Sequence, residues 1–224
     1  VLKVGRVQTP TLAMLVDREV KIMNFEKEQY YMAHILMDGI DAMTERIDDK
    51  ARAESIAAAC ESQSGVVRSV IKENKSVAPP KLYDLTTLQR DANRIFGFTA
   101  KQTLEYTQSL YEKKLVTYPR TDARVLSTAV AKEIYKNLRG LQSYTKAGEF
   151  ATEILNQGSY KGIAKTRYVN DKQITDHYAI IPTGQGMNAL RSLSLASENV
   201  YETIVRRFLS IFYPPAVYQK VSLI

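Results

Sequence analysis

The chain has 224 residues, enough to bury a sizeable core as one large domain or two modest ones. Its 45% hydrophobic and 25% charged residues exclude a disordered chain, and with no apolar run of transmembrane length and no secretory signal the reading favours a cytoplasmic protein. A net charge of +7, from 31 Lys+Arg against 24 Asp+Glu, permits an anionic partner without specifying one, and the single Cys60 excludes an intrachain disulfide and a zinc framework.

In chain order, Thr9-Pro10 predicts a helix from about Pro10 with Thr9 as its N-cap, continued at helical spacing by Leu12, Leu15, Val16 and Val20 towards Ile22. Residues 29–37 and 40–47 read as strands joined by Asp38-Gly39, a tight-turn dipeptide that tolerates positive φ. His34 in the first strand lacks any partner at ligand spacing and reads as a strand residue. Residues 50–61 form a predicted helix in which Cys60 is expected to be a small buried hydrophobe. Alternation returns over 66–76, and Pro79-Pro80 marks a domain boundary.

Beyond the prolines the period becomes helical. Leu85, Leu88, Ala92, Ile95 and Phe96 mark one helix stopped by Gly97, and Thr99 with Gln102 forms a capping box for the next. That helix carries Leu104, Thr107, Leu110 and Tyr111 on its expected core face. Gln108 and Glu112 share another face, and a carboxylate so near a helix C-terminus opposes the macrodipole unless Lys113 or Lys114 pairs with it. Ser127 caps a helix expected to end at Gly140; residues 141–175 read as loops and short helices. Ser197 is the expected cap of a last helix that Pro214-Pro215 terminate, with Arg206 and Arg207 on its solvated face, and residues 216–224 read as a strand. Because the chain opens on Val1 and stops inside that alternating run, it reads as a piece of something longer.

The densest group of reactive side chains is Leu115-Val116-Thr117-Tyr118-Pro119-Arg120-Thr121-Asp122. Pro119 pushes Tyr118 towards an extended backbone, which presents the phenol from a stiff segment between helices. Arg120 offers a permanently charged fork that matches a phosphate, and Thr117, Thr121 and Asp122 supply a polar rim. Each residue type also suits an ordinary turn. A second candidate is Asp176-His177-Tyr178-Ala179-Ile180-Ile181-Pro182-Thr183; a lone histidine before an apolar pair is in general a structural one.

Taken together, Leu82 to Gln89, Gln108 to Glu112, Thr117 to Asp122, the leader Val4 to Leu12 and the His177 segment resemble the type IA DNA topoisomerase family, most closely its bacterial topoisomerase III branch. Lys3 stands where that leader often has serine. The resemblance implies an α+β, mainly helical architecture in which a helical tyrosine-bearing domain (81–213) is inserted in a β-rich gate or hinge module (28–80 and 214–224), after an N-terminal helical segment (1–27). It implies catalytic roles for Tyr118, Arg120 and His177, and DNA contacts from Arg6, Gln8, Gln108, Glu112, Thr117, Thr121 and Asp122.

By the same resemblance Tyr118 attacks single-stranded DNA to give a 5′-phosphotyrosine, which stores the break for religation without nucleotide; no GxxxxGK[ST] loop occurs in the sequence. Mg²⁺ would be held by an N-terminal domain preceding this chain, with no metal expected among these residues. The partner is single-stranded DNA rather than membrane or nucleotide, and the state a monomer associated with the nucleoid. The competing readings are a 3′-phosphotyrosine recombinase or type IB-like enzyme, and a non-catalytic module in which Tyr30, Tyr31, Tyr106 and Tyr111 stack on bases.

Overall fold

A computed structural model describes residues 5–37 and 39–224; Lys3, Val4 and Asp38 lie outside the described residues. Two compact units result, one from the chain described up to Ser69 with Ile224, the other Val70–Leu223.

In the first unit, α1 spans Gln8–Met23, β1 His34–Met37, β2 Ile40–Met43 and α2 Lys50–Cys60. Helix α1 starts two residues before Pro10, because the Thr9 hydroxyl accepts from the Gly5 amide behind it instead of capping the turn ahead. Pro10 therefore sits inside the first turn, where its missing N–H has no intrahelical acceptor to lose. Strands β1 and β2 pair antiparallel from His34↔Met43 to Met37↔Ile40, and Gly39 takes φ +80° at the turn between them. The pairing is shorter than predicted and survives further out only as a bridge between Tyr31 and Ile47. His34 is exposed and bonded across the hairpin to Asp41. Asp49 caps α2 by accepting from the Ala51 and Arg52 amides. Cys60 is exposed, contrary to expectation, since α2 buries Ala53 alone and offers its last turn no interior.

In the second unit, β3 (Val70–Val77) and β4 (Ala216–Leu223) form an antiparallel ribbon with Val70 opposite Leu223 and Val77 opposite Ala216. The chain between them is helical: α3 Leu85–Phe96, α4 Ala100–Glu112, α5 Thr128–Leu141, α6 Gly148–Gln157 and α7 Leu195–Ser210. The sequence signals act locally as read: Gly97 closes α3 at φ +73°, and Thr99 and Gln102 form a reciprocal capping box on α4. The buried stripe of α4 is Thr103, Thr107 and Leu110 rather than one including Leu104 and Tyr111. Threonine can be buried there because each hydroxyl donates to the carbonyl one turn back, Thr103 to Thr99 and Thr107 to Thr103. Helix α4 packs against both α3 and α7. Leu82, Leu88, Leu110, Leu115, Ile134, Leu138, Ile180, Ile204 and Phe208 are sealed from solvent, each fully buried side chain contributing about 1.5–3 kcal/mol.

Three expectations are corrected by this packing. Helix α7 is capped by Ser194, whose hydroxyl accepts from the Ser197 amide, while Ser197 is buried in the first turn. Gly140 lies within α5 and does not end it: a Cβ there would come within 1.9 Å of the Gly184 carbonyl oxygen, so the glycine permits a close approach. Arg207 is a largely buried hub, bonded to Asp91 at 2.8 Å, to the Tyr83 hydroxyl at 2.9 Å and to the Lys81 carbonyl at 3.1 Å. Burial, followed by the bond to Asp91, holds the Tyr83 phenol well above the usual tyrosine range.

Removing one partner of a largely buried ion pair strands the other. Arg207→Ala is therefore expected to destabilise the protein by about 3 kcal/mol in urea unfolding, whereas Arg206→Ala, which breaks an exposed pair with Glu202, should cost below about 1 kcal/mol.

Candidate active site

The site is built where two extended segments about sixty residues apart in sequence meet. Helix α4 ends in a reversal: the Leu115 amide donates to the Leu110 carbonyl and the Lys114 amide to that of Tyr111, with Lys114 in the left-handed region at φ +62°. That conformation in a lysine costs on the order of 1–2 kcal/mol. The chain leaves the corner extended, and Val116 pairs antiparallel with Pro182. Thr183 N donates to Leu115 O and Thr117 N to Ile181 O, both at 3.0 Å. The Thr117 hydroxyl completes the join, donating to Ala179 O and accepting from Ile181 N, each at 3.0 Å.

Tyr118 follows immediately, half-buried, and its ring lies 4.3 Å from that of His177 at a 38° tilt. Tyr111, from the last turn of α4, meets Tyr118 edge-on at 5.5 Å. The His177 backbone is held from the other side by Thr121, which is buried; its hydroxyl donates to His177 O at 2.9 Å and accepts from Ala123 N. The rings border an open cavity of about 560 Å³ that Glu112, Lys114, Thr117, Thr183 and Gln185 also line. Tyr178 lines it too, and burial raises its phenol above the ordinary range.

The structure thus gathers Thr117, Tyr118, His177 and Glu112 at one cavity. Gln108 is a turn away, its amide donating to Glu112 at 3.0 Å, and that bond rather than a lysine accounts for Glu112, which forms no ion pair among the described residues. Arg120 and Asp122 are exposed beside the cavity's tyrosine in sequence but outside its lining. Arg6 and Gln8 are exposed in the other unit. The polar rim read from sequence is realised differently: the Thr117 and Thr121 hydroxyls are committed to backbone groups. Lys114, Thr183 and Gln185 were not singled out as site residues, because nothing in their local pattern marks a helix end that turns back onto a distant loop.

The arrangement can present a phenol to a phosphodiester with an imidazole beside it and cationic groups nearby. The whole chain, residues 1–224, matches the family model described as DNA topoisomerase. The chain belongs to the DNA topoisomerase family. It is 40% identical to DNA topoisomerase 3 of Bacillus licheniformis over 99% of its length and 39% identical to that of Bacillus subtilis over 100%, spanning 31% of each. Among solved structures, full-length topoisomerase I from Thermotoga maritima aligns over 99% of this chain and 36% of its own, with a TM-score of 0.67 and 26% identity. The α+β, mainly helical fold is thus that of a type IA topoisomerase. Among the described residues no group of three or more His, Cys, Asp and Glu lies together as a metal site would need.

The Thr117 hydroxyl can be tested against its methyl isostere. Thr117→Val leaves the Ala179 carbonyl and Ile181 amide short of a partner and is expected to cost about 1–3 kcal/mol in thermal or urea unfolding, whereas Thr117→Ser, which keeps the hydroxyl, should lose less than half of that.

Proposed function

We propose that this chain carries the strand-cleaving tyrosine and gate of a type IA topoisomerase of the topoisomerase III kind. The observation that carries the reading is the Tyr118 ring held on His177 at the rim of an open cavity by segments bonded to each other. Tyr118 Oη attacks a phosphorus of single-stranded DNA; the new O–P bond forms as the bond to the 3′ oxygen breaks, and the phenolic proton passes ultimately to that oxygen. The products are a 5′-phosphotyrosine and a free 3′-hydroxyl. Reversal restores the strand without nucleotide, because one phosphodiester is exchanged for another.

A phenol is a weak nucleophile at neutral pH, so the developing charge must be met by fixed donors. Arg120 supplies a permanent cation two residues from the nucleophile, and His177 an N–H for a phosphate oxygen. Gln108, Glu112, Thr117, Thr121 and Asp122 form the DNA path around this centre, Thr117 and Thr121 acting through the backbone they position, while Arg6 and Gln8 contact DNA from the other unit. Mg²⁺ dependence, which the family resemblance implies, would come from residues outside this chain, as would the rest of the strand-passing machinery. The setting is the bacterial cytoplasm at the nucleoid, with the enzyme a monomer. The stretches 28–80 and 214–224 serve as the gate module and 81–213 as the tyrosine-bearing domain.

In the full-length protein, Tyr118→Phe is expected to abolish the covalent adduct with end-labelled single-stranded DNA while retaining binding; unchanged cleavage would sink the nucleophile assignment. Label on the 5′ side of the break remaining attached to protein after denaturation, which signifies a 3′-linkage, would favour the recombinase-like chemistry instead. Arg120→Ala should slow cleavage by about 10²–10³ with a much smaller loss of affinity, and Arg120→Lys should recover only part, since it keeps the charge but not the fork.

A further inference from the structure

Lys114 is the left-handed corner of the α4 terminus, a position that glycine fills most readily. Only one other non-glycine among the described residues, Ser62, has positive φ. The corner is braced from outside: Thr183 Oγ1 donates to Lys114 O at 2.5 Å, and the chain at Gly186 comes so close that a Cβ there would lie 2.4 Å from Lys113 O. A strained conformation persists where its surroundings over-determine it, and an observed outlier of this kind warrants a search for what the side chain does.

Lys114 lines the Tyr118 cavity. Its ammonium makes no ion pair among the described residues, although Glu112 borders the same cavity two residues away. The helix end explains a cation only in part, because Lys113 already places one at the C-cap without strain.

We infer that Lys114 is a phosphate-binding residue of the cleavage site, its charge placed beside the tyrosine by the strained corner to hold a backbone phosphate of single-stranded DNA near the one attacked. This rests on the proposed strand-cleavage function and adds a DNA subsite to it. As a compact, hydrated point charge on a flexible stem, the ammonium suits a phosphate that must be held through cleavage and released after religation, where a bidentate arginine would bind more rigidly.

The test uses full-length protein carrying Tyr118→Phe, so that binding of a labelled mixed-sequence single-stranded oligonucleotide is measured without cleavage. Lys114→Gln keeps the corner and most of the stem but removes the charge; Lys114→Gly removes both strain and charge; Lys114→Arg keeps both. Loss of one phosphate contact should reduce the slope of log affinity against log salt by about 0.7 for Gln and for Gly, with no reduction for Arg. Gly should at the same time raise the melting temperature by about 2–4 °C. In protein with Tyr118 intact, Gln and Gly should reduce adduct formation at limiting DNA, with Arg near the unsubstituted rate.

An unchanged salt slope in Lys114→Gln overturns the inference. A lowered melting temperature in that variant with the slope unchanged would make Lys114 a helix-end cation only. The functional reading fails separately: if protein with both Tyr118 and Lys114 intact binds the oligonucleotide but forms no adduct, strand cleavage is refuted while the phosphate contact still stands or falls on the slope.

Discussion

Everything that makes this protein a candidate for phosphoryl chemistry depends on one join, the short antiparallel contact between residues 115–117 and 181–183. Its backbone bonds alone would align the two segments, but a single bridge closed by two bonds is a weak element that water could open. The Thr117 hydroxyl changes that by bonding both a carbonyl and an amide of the opposite segment. Leu115, Val116, Ile180 and Ile181 are buried behind it, so opening the bridge would expose both apolar surface and unpaired backbone groups. Tyr118 and His177 are placed by that join, each one residue or a few beyond it, and Thr121 fixes the histidine from the far side.

The helices serve this contact by letting backbones come close. Gly140 in α5 admits the Gly184 carbonyl, and Gly186 admits the carbonyl of Lys113. The threonines of α4 keep its buried stripe small, since their hydroxyls are satisfied within their own helix. What results is a rigid seat for the tyrosine, with Tyr111 projecting from the last turn of α4 onto its edge.

The second unit also shows where bending is disfavoured. Tyr168 donates to the Pro79 carbonyl at 2.7 Å and Arg207 to that of Lys81 at 3.1 Å, so the proline pair after β3 is tied to the helical body at both ends. A motion centred on Pro79-Pro80 would have to break a bond to a largely buried arginine that also neutralises Asp91. The β3–β4 ribbon, exposed on both faces and two strands wide, has far less to lose by flexing.

Elements whose signals are local were legible in the chain itself. The Thr99–Gln102 capping box, the Ser127 cap, the Gly97 stop and the glycine of the hairpin turn act within four residues, through the side chain or the backbone φ of the residue that carries the signal. The Tyr118 segment was legible too, because proline after tyrosine and arginine after proline restrict the backbone and place charge regardless of what lies around them. How those pieces are used was settled by long-range packing. Whether Arg207 faces solvent or a buried aspartate, whether Gly140 ends a helix or admits a loop, and whether Cys60 has a core to enter depend on which distant surface arrives. The meeting of Tyr118 with His177 and the strained turn that puts Lys114 beside them belong to this second kind: the bonds that impose them join residues more than fifty positions apart, and no periodicity or spacing along the chain encodes which carbonyl a threonine will find.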